Sequence, residues 1–212
     1  MAGVVGAVGG LLVGVFFAWW LPQRRYARVG DVTRFVPRRS VVLAVPVVAG
    51  LCGALAAMQD SAWFAAGLAV YLAGGLAIVW IDLDVHRIPD RVLAPTAGAL
   101  LVTTSWGSVT EGSQVWLHAG LGAAGVGLFF VVLAVVGSMG RGDVKLALFT
   151  GMMLGPLGWP VVVAAVVAAV LVGALVGVVM LVRGRRGSDH FAFGPAIVAG
   201  AALAATWVDL AA

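Results

Sequence analysis

The chain has 212 residues, of which 62% are hydrophobic and only 10% are charged. With a mean hydropathy of +1.09 it has too little polar surface to cover a soluble globule, so the composition predicts an integral membrane protein. The basic residues fall in short loops between apolar segments, which excludes a nucleic-acid partner. The single Cys52 excludes an intrachain disulfide and a cysteine-based zinc site.

The first apolar segment, residues 3–21, has no preceding positive charge and is followed directly by a basic loop. This order predicts a retained membrane helix with its N-terminus outside, rather than a cleaved signal peptide. Gly6, Gly10 and Gly14 recur every four residues, and we expect their common face to let another helix approach closely.

The basic loop, residues 22–40, is too short for a folded domain. Positive loops normally lie on the cytoplasmic side, so we interpret it as a cytoplasmic connector. Binding of anionic membrane lipid is a second interpretation of the same charges.

The other apolar segments have roughly the length of a bilayer crossing, which takes about 20 residues. Together with the first they predict an all-α membrane bundle of about eight helices in a single domain, residues 1–212. Residues 106–115 are polar and rich in turn formers, which predicts a connecting loop. The apolar segments are approximately 41–58, 62–81, 91–106, 115–137, 143–157, 159–183 and 191–209.

The positive charges fit this topology. With the N-terminus outside, all 13 Lys and Arg residues fall in the inner loops, whereas the outer side carries only Asp60, Glu111 and Asp209. Because positive residues concentrate on the cytoplasmic side, this distribution supports the order of the spans. The inner loops are residues 22–40, 82–91, 138–145 and 183–190.

Two polar islands lie at the edges of apolar segments. The first begins at Asp82 and ends with Ile88-Pro89-Asp90, and the second reads Gly140-x-Gly142-Asp143-x-Lys145. A carboxylate at such an edge is costly to keep, which indicates a function. Asp143 follows Asp82 by 61 residues, enough for a return crossing, so we expect both on the cytoplasmic side.

These motifs resemble those of the type IV leader peptidases, or prepilin peptidases, a family of membrane aspartic proteases. The family shows an Asp followed six and seven residues later by an aliphatic residue and Pro, as Asp82, Ile88 and Pro89 are here. Its Gly-x-Gly-Asp-x-Lys element is similar to residues 140–145. Residues 191–195, which include Gly194 and Pro195, resemble the Phe-Gly-Pro element of the family's last helix.

The resemblance implies that Asp82 and Asp143 are the catalytic pair, supported by the motif residues Gly140, Gly142 and Lys145. Two adjacent carboxylates cannot both ionise easily, so one keeps a proton while the other takes one from water. The water then attacks a peptide carbonyl, and the reaction requires no metal or other cofactor. The ends of the helix dipoles favour Asp143 as the base and Asp82 as the proton holder.

The two glycines of the second island permit a tight turn and the close approach of a substrate strand. Lys145 either neutralises charge near Asp143 or only marks the inner face.

The resemblance also implies the partner and the location. The substrate is the precursor of a type IV pilin or pseudopilin, and the enzyme lies in a bacterial cytoplasmic membrane with its active site facing the cytoplasm. Longer members of the family carry a cysteine-rich domain after the first helix, associated with N-methylation of the product. Residues 22–40 occupy that place here without a cysteine, so we do not expect methyl transfer from S-adenosylmethionine.

The aspartates of the two motifs also have interpretations that involve no catalysis. Asp143 can be the N-cap of an ordinary helix, and Asp82 a loop carboxylate paired with Arg87 or Arg91. Asp84 is expected to be a loop or helix-start residue.

Two further residues of the first island have local interpretations. Asp90 is expected to cap the helix that follows it. His86 has the spacing from Asp82 to share a metal, but Pro89 indicates that the helix ends there.

Three other functions compete with this one. A presenilin-like or signal-peptide-peptidase-like protease also uses Gly-x-Gly-Asp, but expects a Tyr-Asp element where this chain has Ile81-Asp82. A proton-coupled transporter would use the two aspartates as a relay, but relay carboxylates usually lie near mid-span. A scaffold without catalytic activity would tolerate loss of both aspartates.

Overall fold

The structure, a computed structural model, describes residues 2–23, 25–26, 38–85, 87–136, 139–183 and 192–211. Within these residues the chain forms eight α-helices and no strand, which confirms the all-α prediction. Short 3-10 helices, Leu21–Gln23 and Gly155–Leu157, follow α1 and α6. The helices are α1 (Ala2–Trp20), α2 (Arg38–Ala56), α3 (Ala62–Val85), α4 (Asp90–Glu111), α5 (Gln114–Val136), α6 (Arg141–Leu154), α7 (Trp159–Val182) and α8 (Gly194–Ala211).

In the part of the chain that the structure describes, five helical stretches are long and apolar enough to cross a membrane, namely Gly3–Gln23 and the helices α3, α4, α5 and α7. The apolar parts of α2 and α8 are shorter, Ala44–Ala56 and Gly194–Thr206. Helix α6 has 14 residues and is therefore about 21 Å long, less than the roughly 30 Å of a hydrocarbon core. The chain is thus a helical membrane protein, and α6 is the shortest α-helix among the described residues.

The expected loop at residues 106–115 is wrong, because α4 continues to Glu111 and leaves only a two-residue turn before α5. One of its polar side chains bonds to the helix itself: the Thr110 hydroxyl donates to the Trp106 carbonyl at 3.1 Å. Such a bond satisfies the hydroxyl without a partner outside the helix. The helix ends at Gly112, whose φ of 104° lies in the left-handed region.

By its internal contacts the chain divides into two compact units, Met1–Val115 and Trp116–Ala212. In the first unit α1 packs against α2 through the glycine stripe. Gly6 lies against Gly53, and Gly14 against Pro46, with no room for a side chain at either glycine. The predicted close approach of a helix to this face is confirmed.

In the second unit α5 and α6 meet backbone to backbone where Gly122 faces Gly151. Gly200 of α8 lies against Ala169 of α7 in the same way. Small residues at these crossings allow the van der Waals packing that holds helices together in lipid.

Candidate active site

Asp82 lies in the last turn of α3, a helix that extends one turn beyond the predicted segment 62–81. Its side chain is only 5% exposed and continues the buried line of Tyr71, Gly75 and Ile78 along the helix. The interpretation of Asp82 as a loop carboxylate is therefore wrong. The last four carbonyls of an α-helix have no partner inside it, so this turn depends on contacts made by side chains.

Asp84 is buried in the same turn, with 1% of its side chain exposed, and the prediction that it lies in a loop or at a helix start is wrong. The Tyr26 hydroxyl donates a hydrogen bond of 2.7 Å to Asp84 Oδ2. Tyr26 is itself only 6% exposed and packs in a cluster with Leu21 and Ile81. The sequence analysis assigns Tyr26 no part, because nothing in the pattern of a basic loop indicates that one tyrosine is buried.

Ile88 and Pro89 are both buried where the chain enters α4. Pro89 occupies the N-cap position with φ −77° and ψ 133°, and its carbonyl accepts the Val92 N–H at 3.0 Å. Asp90 is the exposed first residue of the helix, one position after the N-cap, so the prediction that it occupies the cap of α4 is wrong. Proline suits this position because its ring fixes φ and the extended ψ turns the chain into the helix. His86, the possible metal ligand, lies outside the described residues.

Asp143 is the third residue of α6, and its side chain is 8% exposed. Gly140 is the N-cap residue, with no side-chain capping bond, so the interpretation of Asp143 as the N-cap is wrong. The Asp143 N–H donates to the Gly140 carbonyl at 3.1 Å. A Cβ on Gly140 would lie 3.2 Å from Asp143 Oδ2, which shows that the carboxylate lies over this glycine.

The buried face of α6 starts at Asp143 and continues through Leu146, Ala147 and Thr150, the spacing of one helix face. Gly142 lies between Arg141 and Asp143 in the first turn. Lys145 is exposed in the second turn of the helix. Whether it neutralises charge near Asp143 or only marks the inner face stays a prediction.

The third motif begins α8. Gly194 is the first residue of the helix and is buried, and Pro195 is the second, a position at which a helix tolerates proline. The Phe193 carbonyl accepts the Ala196 N–H at 2.9 Å. The ring of Phe193 lies against Gly173 of α7, where a side chain would collide with it. Phe193, the aromatic residue of the Phe-Gly-Pro element, therefore anchors the start of α8 on α7.

The structure thus groups the predicted residues within each unit. The end of α3 and the start of α4 bring Asp82 near the turn that holds Ile88 and Pro89, and Gly140 contacts Asp143 at the start of α6. The pairing of Asp82 with Asp143 stays a prediction. No cluster of three or more His, Cys, Asp or Glu side chains suited to a metal occurs within the described ranges.

The model of the type IV leader peptidase family matches residues 69–178, just over half of the chain. The chain belongs to the type IV leader peptidase family. The matched stretch includes Asp82, Ile88 and Pro89 as well as the island around Asp143, and it ends before Gly194. Membership confirms the resemblance that the motifs indicated and makes this membrane protein a peptidase. Comparisons with curated proteins and with solved structures gave no match.

Proposed function

We propose that this leader peptidase is an aspartic endopeptidase that removes the leader of a type IV prepilin-like precursor, with Asp82 and Asp143 as its catalytic pair. The observation that carries the proposal is the burial of both carboxylates, 5% and 8% exposed, at helix ends inside the stretch that matches the family. Buried carboxylates are rare unless they are paired or functional.

In the proposed mechanism the two carboxyl groups hold one water molecule. The ionised aspartate takes a proton from this water while the water oxygen attacks the scissile carbonyl carbon. The protonated aspartate gives its proton to the carbonyl oxygen, which forms a neutral tetrahedral intermediate. Collapse of the intermediate breaks the C–N bond and returns a proton to the leaving amine, so no covalent enzyme intermediate forms.

The positions of the two residues in their helices support different roles. Asp143 lies in the first turn of α6, where the positive end of the helix dipole favours an anion. Asp82 lies in the last turn of α3, where the negative end disfavours one. We therefore assign Asp143 as the base and Asp82 as the residue that holds the proton.

The distribution of charge supports a cytoplasmic active site. Arg87 and Arg91 flank the turn between α3 and α4, while Arg141 and Lys145 lie at the start of α6. Positive residues at these helix ends fit the inner side of a bacterial cytoplasmic membrane. A precursor with a basic leader inside and a hydrophobic helix in the membrane would present its cleavage point at that face.

The experiment co-expresses the protein with a prepilin and sequences the new amino terminus of the product. Cleavage at the boundary between leader and helix supports the proposal, and an uncut precursor across a panel of prepilins and pseudopilins contradicts it. Proton uptake by proteoliposomes, together with an uncut precursor, would instead indicate the transporter. For a peptidase with this aspartate pair we expect cleavage without added metal or S-adenosylmethionine.

A further inference from the structure

The last turn of α3 carries two buried carboxylates, and the proposed chemistry uses only one of them. Asp82 and Asp84 are two positions apart, so their side chains leave the helix on nearly opposite faces. Asp82 continues the buried line of α3, whereas Asp84 accepts the hydrogen bond of Tyr26. Asp84 is therefore turned away from the residue that we place in catalysis.

Burial of Asp84 is costly for the fold. A carboxyl group that is 1% exposed loses nearly all of its water, and it lies at the end of a helix where the dipole disfavours an anion. An apolar residue of similar size would avoid both costs. The structure instead gives Asp84 a partner 58 positions away in the chain, at 2.7 Å.

The partner comes from the segment that follows α1. Tyr26 lies three residues after the 3-10 helix Leu21–Gln23, whose Leu21 is fully buried against the same cluster as Ile81 of α3. The ring of Trp20 lies 6.3 Å from that of Tyr26, centroid to centroid. An apolar cluster thus joins the end of α1 to the end of α3. The hydrogen bond from Tyr26 to Asp84 is directional and therefore fixes how the two ends are oriented.

We propose that Tyr26 and Asp84 are positioning residues, whose hydrogen bond fixes the last turn of α3 and so the direction of Asp82. A tertiary bond at this turn has an effect because the ends of helices fray, and the bond ties the last turn of α3 to the segment after α1. We call the hydrogen bond between Tyr26 and Asp84 the anchor. The inference rests on the proposed function, because it gives the anchor an effect on catalysis by Asp82. Displacement of a reacting group by about 1 Å can lower a rate by about 100-fold.

The anchor itself is tested without substrate, by amide hydrogen exchange of residues 80–85 in the full-length protein in detergent. Tyr26→Phe removes the hydroxyl and keeps the ring, and we expect exchange of this turn to rise about fivefold or more. Asp84→Asn keeps an oxygen that can accept the bond and should remain within about threefold of the parent. Ser61→Ala is the matched control, because the Ser61 hydroxyl also donates to a carboxylate, Glu111, at 2.7 Å near the opposite end of α3.

The consequence for catalysis is tested by prepilin cleavage with the same variants. Tyr26→Phe and Asp84→Ala should lower kcat about 10- to 100-fold with little change in KM, and the double variant should be no worse than the worse single one. Asp84→Asn should recover most of the rate, and Ser61→Ala should match the parent.

If the amide hydrogen exchange of residues 80–85 is unchanged in Tyr26→Phe, the hydrogen bond does not hold this turn and the inference is overturned. Parental kcat in that variant, or a loss explained by the amount of folded protein alone, overturns the positioning role while the proposed function stands. If exchange rises as expected but neither parent nor variants cut any prepilin, the proposed function fails and the anchor stands.

Discussion

The crossing of α5 and α6 gives a prediction about stability that needs no knowledge of the substrate. A methyl group on Gly122 would lie 2.8 Å from the Cα atom of Gly155 and 3.1 Å from the carbonyl carbon of Gly151. Ordinary contacts of a Cβ atom begin at 3.4 Å, so the two backbones would have to separate by at least about 0.6 Å. Overpacking of this kind costs about 1–3 kcal/mol.

Gly120→Ala is the matched control for Gly122→Ala. It lies on the same helix, and a methyl group there meets nothing within 4 Å. The gain of about 1 kcal/mol in helix propensity is common to both changes and cancels in their difference. We therefore expect the free energy of unfolding of Gly122→Ala to be about 1–3 kcal/mol lower than that of Gly120→Ala. Titration with a denaturing detergent measures both values. Equal stability of the two variants would show that this crossing is not as close as described.

Two other glycines give further predictions. Gly140→Ala places a methyl group 3.2 Å from Asp143 Oδ2, so the carboxylate must shift, and we expect about tenfold slower cleavage at an unchanged melting temperature. Gly98→Ala, with open space around it, is the control, and equal rates would contradict the expectation. Gly158→Ala forces a side chain onto φ 99° and ψ 164°, which should lower the free energy of unfolding by about 1–3 kcal/mol. A parental unfolding curve for that variant would refute this.

The helix order could be predicted because bilayer thickness and positive loops constrain it strongly. Apolar stretches of the required length stand out in the sequence, and the glycine stripe of α1 predicted a close contact that α2 makes. The three motifs also led to the family that the chain belongs to. These signals are local, so a single sequence carries them.

The errors lie where one specific contact overrides the trend that composition suggests. Asp84 has the composition of a loop residue, but a tyrosine 58 positions away provides a partner for it within the fold. The polar end of α4 has the composition of a loop, but the Thr110 hydroxyl donates to the Trp106 carbonyl at 3.1 Å. Asp90 is a residue type that caps helices, yet Pro89 takes the position. Only the first of these contacts is tertiary. The other two are local, and composition alone does not choose between them and the predicted loop or cap.

The most direct test of the aspartate pair measures prepilin cleavage by purified protein in liposomes for the parent, Asp82→Asn and Asp143→Asn. The amide has nearly the size of the carboxyl group but does not act as an acid or a base near neutral pH. The packing is therefore preserved while the acid–base chemistry is lost. Asp60→Asn is the control, because Asp60 is an exposed carboxylate near the opposite end of α3.

The account predicts that both catalytic-pair variants fold as the parent does and lose at least about 100-fold in kcat, while Asp60→Asn cleaves at the parental rate. Cleavage at the parental rate by either Asp82→Asn or Asp143→Asn would contradict it.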